Sequence, residues 1–120
     1  MLKDLVLKNR SYRGYDRSVK MTKEDLLELV DLCRLSASSM NRQALKFHIA
    51  YDEKEVAAIQ PLTGWARRLP ELNLPYPGTE PTAFIVICID NSLGTKAAFQ
   101  RDVGLCAEVM LLGAVEKGFG

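Results

Sequence analysis

The sequence predicts an α+β domain, and three stretches carry that prediction. Residues 45–52, LKFHIAYD, alternate: Leu45, Phe47, Ile49 and Tyr51 fall on one side, Lys46, His48 and Asp52 on the other. That two-residue period is the mark of a half-buried strand. Residues 83–90, AFIVICID, form a continuous apolar run suited to a central strand covered on both faces. Between residues 26 and 33, Leu26, Leu29, Val30 and Cys33 recur at the spacing that puts them on one face of a helix. Helices and strands interleave within 120 residues, a length suited to one domain.

The remaining elements follow in order. LKDLVLK, residues 2–8, sets Leu2, Leu5 and Val6 on one side of a short helix. NRSYRGYD follows without a helical period. Thr22 and Asp25 resemble a capping box opening the helix that ends near Ser36. A short helix is expected at 53–60. Residues 61–82 are proline-rich and read as a long surface loop, with one turn of helix around Trp65. The last helix, at about 95–117, is apolar nearly all round from Val103 to Val115, interrupted mainly by Gly104, Glu108 and Gly113. A helix without a polar face is buried on every side. Each glycine costs about 1 kcal/mol relative to alanine in a helix, which points to close backbone contact with a neighbour. In so short a chain that neighbour is expected to be a second copy, most simply in a symmetric dimer.

Composition narrows the function. Apolar residues make up 48% and charged residues 26%, a folded rather than disordered balance. A net charge of +1 gives no general attraction to nucleic acid or to an anionic membrane. No apolar run approaches the ~20 residues of a bilayer span, and no signal peptide opens the chain, so a cytoplasmic location is expected. Cys33, Cys88 and Cys106 sit among apolar residues at no metal-binding spacing, and read as buried thiols of a reducing compartment. GAVEKGFG lacks the Lys-Ser/Thr of a phosphate-binding loop and follows a helix, and no GxSxG elbow occurs. The single histidine, His48, lies on the polar face of a strand with no obvious carboxylate or cysteine partner. Metal catalysis and serine–histidine hydrolysis therefore have no support.

Two polar clusters remain. Arg10-Ser11-x-Arg13 lies in a basic stretch, and two guanidinium forks with a hydroxyl between them suit a phosphate or another delocalised anion. The alternative is a solvated basic turn. Ser38-Ser39-Met40-Asn41-Arg42-Gln43 joins a helix to the first strand. Such side chains can satisfy their own backbone at a helix end. A polar run this long, closing in Gln43, equally offers several donors and acceptors to an external ligand.

RSYRGY at 10–15, ASSMNRQALKF at 37–47, the strand FIVICID, the helix DVGLCAEVMLLGAVEKG and the closing Gly-Phe-Gly, taken in order, resemble the FMN-dependent nitroreductase family across essentially the whole chain. The resemblance implies a three-layer α+β fold with a mixed β-sheet flanked by helices, and an intertwined homodimer with FMN at each subunit interface. It implies that Arg10, Ser11 and Arg13 contact the flavin phosphate, ribityl chain and pyrimidine edge. Ser38, Ser39, Asn41 and Gln43 would reach the flavin from the other subunit. The activity implied is that of an NAD(P)H oxidoreductase reducing nitroaromatics, quinones or similar small-molecule acceptors by ping-pong hydride transfer. The flavin carries the chemistry, so no protein catalytic residue is expected. The alternative is a dimeric module that binds flavin or another anion without catalysis. Asn9 stands where the family often has a basic residue, and Ala44-Leu45 replaces its Pro-Trp. Relatives continue beyond the position of Gly120, so residues 1–120 are expected to be the front part of the fold, without its C-terminal strands.

Overall fold

Local rules account for where the helices begin. In a computed structural model describing residues 1–120, the order is α1 (Leu2–Lys8), α2 (Lys23–Leu35), β1 (Leu45–Ala50), α3 (Glu53–Ile59), β2 (Phe84–Ile89) and α4 (Lys96–Glu116). Thr22 and Asp25 close the expected capping box on α2, each side chain accepting from the other's backbone N–H. The Thr22 backbone and hydroxyl donors, with Lys117 behind them, hold the Asp25 carboxyl below its ordinary range. Asp52 caps α3 by accepting from the N–H groups of Lys54 and Glu55, and Thr95 caps α4 by accepting from that of Ala98.

β1 and β2 pair antiparallel, from Leu45 opposite Ile89 to Ala50 opposite Phe84. The α+β class stands, while the sheet formed by these residues is this one antiparallel pair, since a mixed sheet needs a third strand. β1 shows the expected alternation, with Lys46 and His48 exposed between the half-buried Leu45, Phe47 and Ile49. β2 departs from expectation. Ile85 and Ile87 pack onto the core, but Val86 and Cys88 on the opposite face are exposed, because nothing in this chain covers them.

The core is the seam between α2 and α4: Leu29 and Cys33 from one, Cys106, Met110 and Ala114 from the other. Leu45, Phe47, Ile85 and Ile87 roof it from the sheet. Gly113 lets the two helices meet. A Cβ there would stand 2.4 Å from Leu32 Cδ1 and 3.1 Å from Leu29 Cδ2. The close neighbour of this glycine is thus α2 of the same chain rather than a second copy. A Cβ on Gly104, by contrast, would meet nothing within 4 Å.

The chain covers α4 on one flank only. Leu105 and Leu111 remain 50% and 46% exposed, and α1 has no buried residue at all. The accessible surface is 8466 Å², against about 6,500 Å² for a compact monomer of 13.4 kDa. The radius of gyration is 15.1 Å, where about 13.6 Å is usual for this length. Roughly 2,000 Å² more surface is exposed than a self-sufficient domain leaves in water.

In the loop at 61–82 the helical turn does not fall at Trp65. Two short 3₁₀ turns, Gln60–Leu62 and Pro70–Leu72, stand on either side of it. Each carries a proline in its first turn, where the ring's fixed φ and missing N–H cost nothing. Trp65 instead donates its indole N–H to Thr63 Oγ1 at 2.6 Å and meets Tyr15 edge-on, 6.3 Å between ring centres. No helix is long and apolar enough to cross a membrane.

Gly94 leads into α4 at φ +154°, and a Cβ there would lie 2.8 Å from the Phe99 ring, itself 2% exposed. Gly94→Ala is expected to destabilise the fold by about 1–3 kcal/mol, read as a lower urea midpoint. An unchanged midpoint would mean that the ring yields freely.

Candidate functional site

The polar joint between α2 and β1 turns sharply. Ser39–Asn41 form one 3₁₀ turn, and Met40, Asn41 and Gln43 all have positive φ, at 53°, 52° and 51°. Asparagine tolerates that region; methionine and glutamine adopt it rarely, at a cost on the order of 1–3 kcal/mol each. Something outside the turn has to hold it.

Asp102 of α4, 2% exposed, does so. The Ser39 N–H donates to both carboxylate oxygens, at 3.0 and 3.1 Å, and the Ser39 hydroxyl to Oδ1 at 2.7 Å. The Ser38 hydroxyl donates to Oδ2 at 3.4 Å and accepts from the Gln43 N–H at 2.8 Å. A buried carboxylate without such donors is costly, so both sides gain. On the far side, Arg42 donates to the carbonyl of Leu93 at 2.6 Å.

The four predicted residues of this cluster therefore divide. Ser38 and Ser39 turn their hydroxyls inward, onto Asp102. Asn41 and Gln43 stay exposed, the Gln43 amide donating to Asn41 Oδ1 at 3.0 Å. The Asn41 NH₂ and the Gln43 side-chain carbonyl have no hydrogen-bond partner within the chain. Asp102 escaped the sequence reading, although a signal was there. It follows Phe99 by three residues and precedes Cys106 by four, so it is a charge in phase with the buried stripe Phe99, Cys106, Met110 and Ala114.

The other cluster stands beyond the end of α1. Arg10, Ser11 and Arg13 are all exposed. Arg10 Nη1 donates to the carbonyls of Val6 and Asn9, at 3.3 and 2.6 Å, and Arg13 Nη1 to that of Ser11 at 3.0 Å. Each guanidinium has five N–H donors, so most remain unspent, and neither forms a salt bridge. Burial pushes the nearby Tyr15 phenol up, and the Arg13 charge opposes that rise.

Within one chain the two clusters lie apart. Asn9, next to Arg10, donates to Glu108 on the exposed side of α4, whereas Ser38 and Ser39 hold Asp102 on its buried side. Six residues separate those anchors, about 9 Å along a helix. Beside Asp102 is a cavity of about 300 Å³, lined by Ser38, Gln43, Ala44, Phe47, Cys33 and Cys106 among others. A larger cavity, about 610 Å³, lies under the 61–82 loop between Tyr51, Gln60 and Trp65. Ion pairs Arg17–Glu80 and Lys20–Glu53 border it, at 3.4 and 2.5 Å, and it contains no predicted site residue.

Two further expectations change. His48 does have a carboxylate partner, Glu55, which α3 folds back against β1. Cys33 and Cys106 are buried as expected, but Cys88 is exposed on the bare face of β2. The Cys33 thiol donates to the Cys106 carbonyl at 3.5 Å, and burial pushes its pKa up to about 12. The folded protein is therefore expected to react with thiol reagents first at Cys88, and at Cys33 only on unfolding. Mass mapping of labelled peptides checks this, and early labelling of Cys33 would contradict it.

The family model described as Nitroreductase family matches residues 6–120. Among solved structures the chain is similar to an FMN-dependent nitroreductase from Clostridium difficile, at 22% identity and TM-score 0.72, covering 95% of this chain and 60% of that one. It is similar to a nitroreductase with bound FMN from Bacteroides fragilis, at 16% identity and TM-score 0.72, covering 98% and 65%. It is also similar to an oxidised iodotyrosine deiodinase bound to FMN and 3-iodo-L-tyrosine, at 24% identity and TM-score 0.71, covering 98% and 71%. The likeness at these identities is one of fold. The chain spans less than two thirds of the length of the two nitroreductases. No curated protein matches the sequence.

Proposed function

The chain belongs to the nitroreductase family, and from that premise we propose that it is a flavin-dependent oxidoreductase. It would hold FMN, accept reducing equivalents from NADH or NADPH, and pass them to a nitroaromatic, a quinone or a similar small acceptor. The observation that carries this reading is the pair of exposed guanidinium groups at Arg10 and Arg13, free of any carboxylate, with Ser11 between them. That donor set suits the phosphate and the polar edge of a flavin.

In this reading Arg10 and Ser11 hold the phosphate and ribityl chain. Arg13 lies at the pyrimidine edge, where its fixed charge favours the negative charge that gathers on reduction. Asn41 and Gln43 of a second copy supply amides to the ring, while Ser38 and Ser39 keep the turn on which those amides stand. FMN, when bound, supplies the hydride and electron chemistry. No protein nucleophile is required.

A homodimer is part of the proposal. The surplus surface of roughly 2,000 Å² per chain, about 4,000 Å² for two, falls in the range of obligate dimers. Leu2, Val6, Leu105 and Leu111 are exposed on the two helices that would meet a partner. Sedimentation should give twice the chain mass of 13.4 kDa. A monomer would remove the second half of the site.

One observation favours a second reading, a module that binds flavin or another anion without catalysis. Ser38 and Ser39 spend their hydroxyls on Asp102, which leaves fewer direct contacts for a cofactor. Reconstitution separates the two. Flavin absorbance that bleaches with NADH or NADPH supports the oxidoreductase; bound flavin that does not bleach supports the module. Arg10→Ala and Arg13→Ala are each expected to weaken FMN binding by roughly 1.5–3 kcal/mol, the value of a charge-assisted bond, and equal affinity would take that residue out of the site.

A further inference from the structure

We propose that Asp102 is a positioning residue, whose buried carboxylate sets the 38–43 turn in the shape that presents Asn41 and Gln43 to the ligand. The proposal rests on the flavin reading for the ligand, but its structural half stands on the chain alone.

The carboxylate has no cationic partner. All of its hydrogen bonds come from Ser38 and Ser39: the N–H and hydroxyl of one, the hydroxyl of the other. The carboxylate buried on α4 is thus satisfied by neutral donors from a single turn, and the turn in exchange loses its freedom. Ser38 passes the constraint on. With its O–H directed at Asp102, its lone pairs face the Gln43 N–H, 2.8 Å away. The anchored points, Ser39 and Gln43, bracket Met40 and Asn41, and three of the four residues 40–43 have the positive φ that side chains resist. Two anchors bracketing a strained segment are what keep Asn41 and Gln43 outward instead of relaxing. An asparagine at 102 would keep the volume but turn an NH₂ towards groups that are themselves donors.

Amide hydrogen exchange on the 120-residue chain without flavin tests the clamp, and FMN fluorescence titration tests its consequence. In Asp102→Asn, exchange at Ser39 and Gln43 is expected to rise about tenfold or more while the amides of β1 and α2 hold their protection, and FMN affinity is expected to fall by about tenfold. In Ser38→Ala, Gln43 alone is expected to exchange faster, with Ser39 still protected by the carboxylate. Unchanged exchange at Ser39 and Gln43 in Asp102→Asn overturns the clamp, as does a rise spread evenly over β1 and α2, the mark of a merely structural role. A loosened turn with unchanged FMN affinity overturns the presentation of Asn41 and Gln43. Wild-type chain that takes up no FMN overturns the flavin reading, while the exchange data still decide the clamp. Should Asp102→Asn not fold, Ser38→Ala decides, unchanged exchange at Gln43 being the overturning result.

Discussion

The contact of α4 with α2 and the sheet is the one on which the rest of the structure depends. Cys106, Met110 and Ala114 form the seam, Gly113 lets the helices close on it, and Asp102 and Phe99 continue the same stripe towards the helix start. Both predicted polar clusters are tied to this helix. The polar joint is tied to its buried side through Asp102, and the basic turn to its exposed side through Asn9 and Glu108. Because an α-helix is stiff, two loops distant in sequence acquire a fixed relation to each other without touching.

The same helix explains why the chain looks unfinished at its surface. An apolar run that continues around the whole circumference cannot be covered from one flank, and α1, seven residues long, is too small to cover the other. Leu105, Leu111, Leu2 and Val6 are left exposed together with Val86 on the sheet. Burying such groups yields about 25 cal/mol per Å² of apolar area, so covering them would be favourable. In the proposed dimer, association and cofactor binding would be one problem, since the covering copy would bring its own Asn41 and Gln43 to the Arg10–Arg13 region.

The polar joint shows how a short segment serves two ends. Its hydroxyls answer an internal charge, as the reading of self-satisfied side chains expected, while its amides stay outward, where the proposed ligand would meet them. Strain at Met40 and Gln43 fits that division, since unusual backbone persists only where surrounding bonds over-determine it.

Local chemistry determined much of this from sequence alone. The capping box at Thr22 and Asp25, the alternation of β1, the limits of α1 and α4, and the two polar clusters depend on residues within a few positions of each other. So does the order of motifs that places the chain in its family. What residues far apart in sequence meet was decided by the tertiary structure. Glu55 beside His48, the exposure of Cys88 and the use of Ser38 and Ser39 by Asp102 all turn on such meetings. Periodicity says which side of an element is apolar; it does not say what lies against that side. That depends on how α3 and α4 fold back across the sheet, and the balance of burial and hydrogen bonding settles it only once the whole chain is packed.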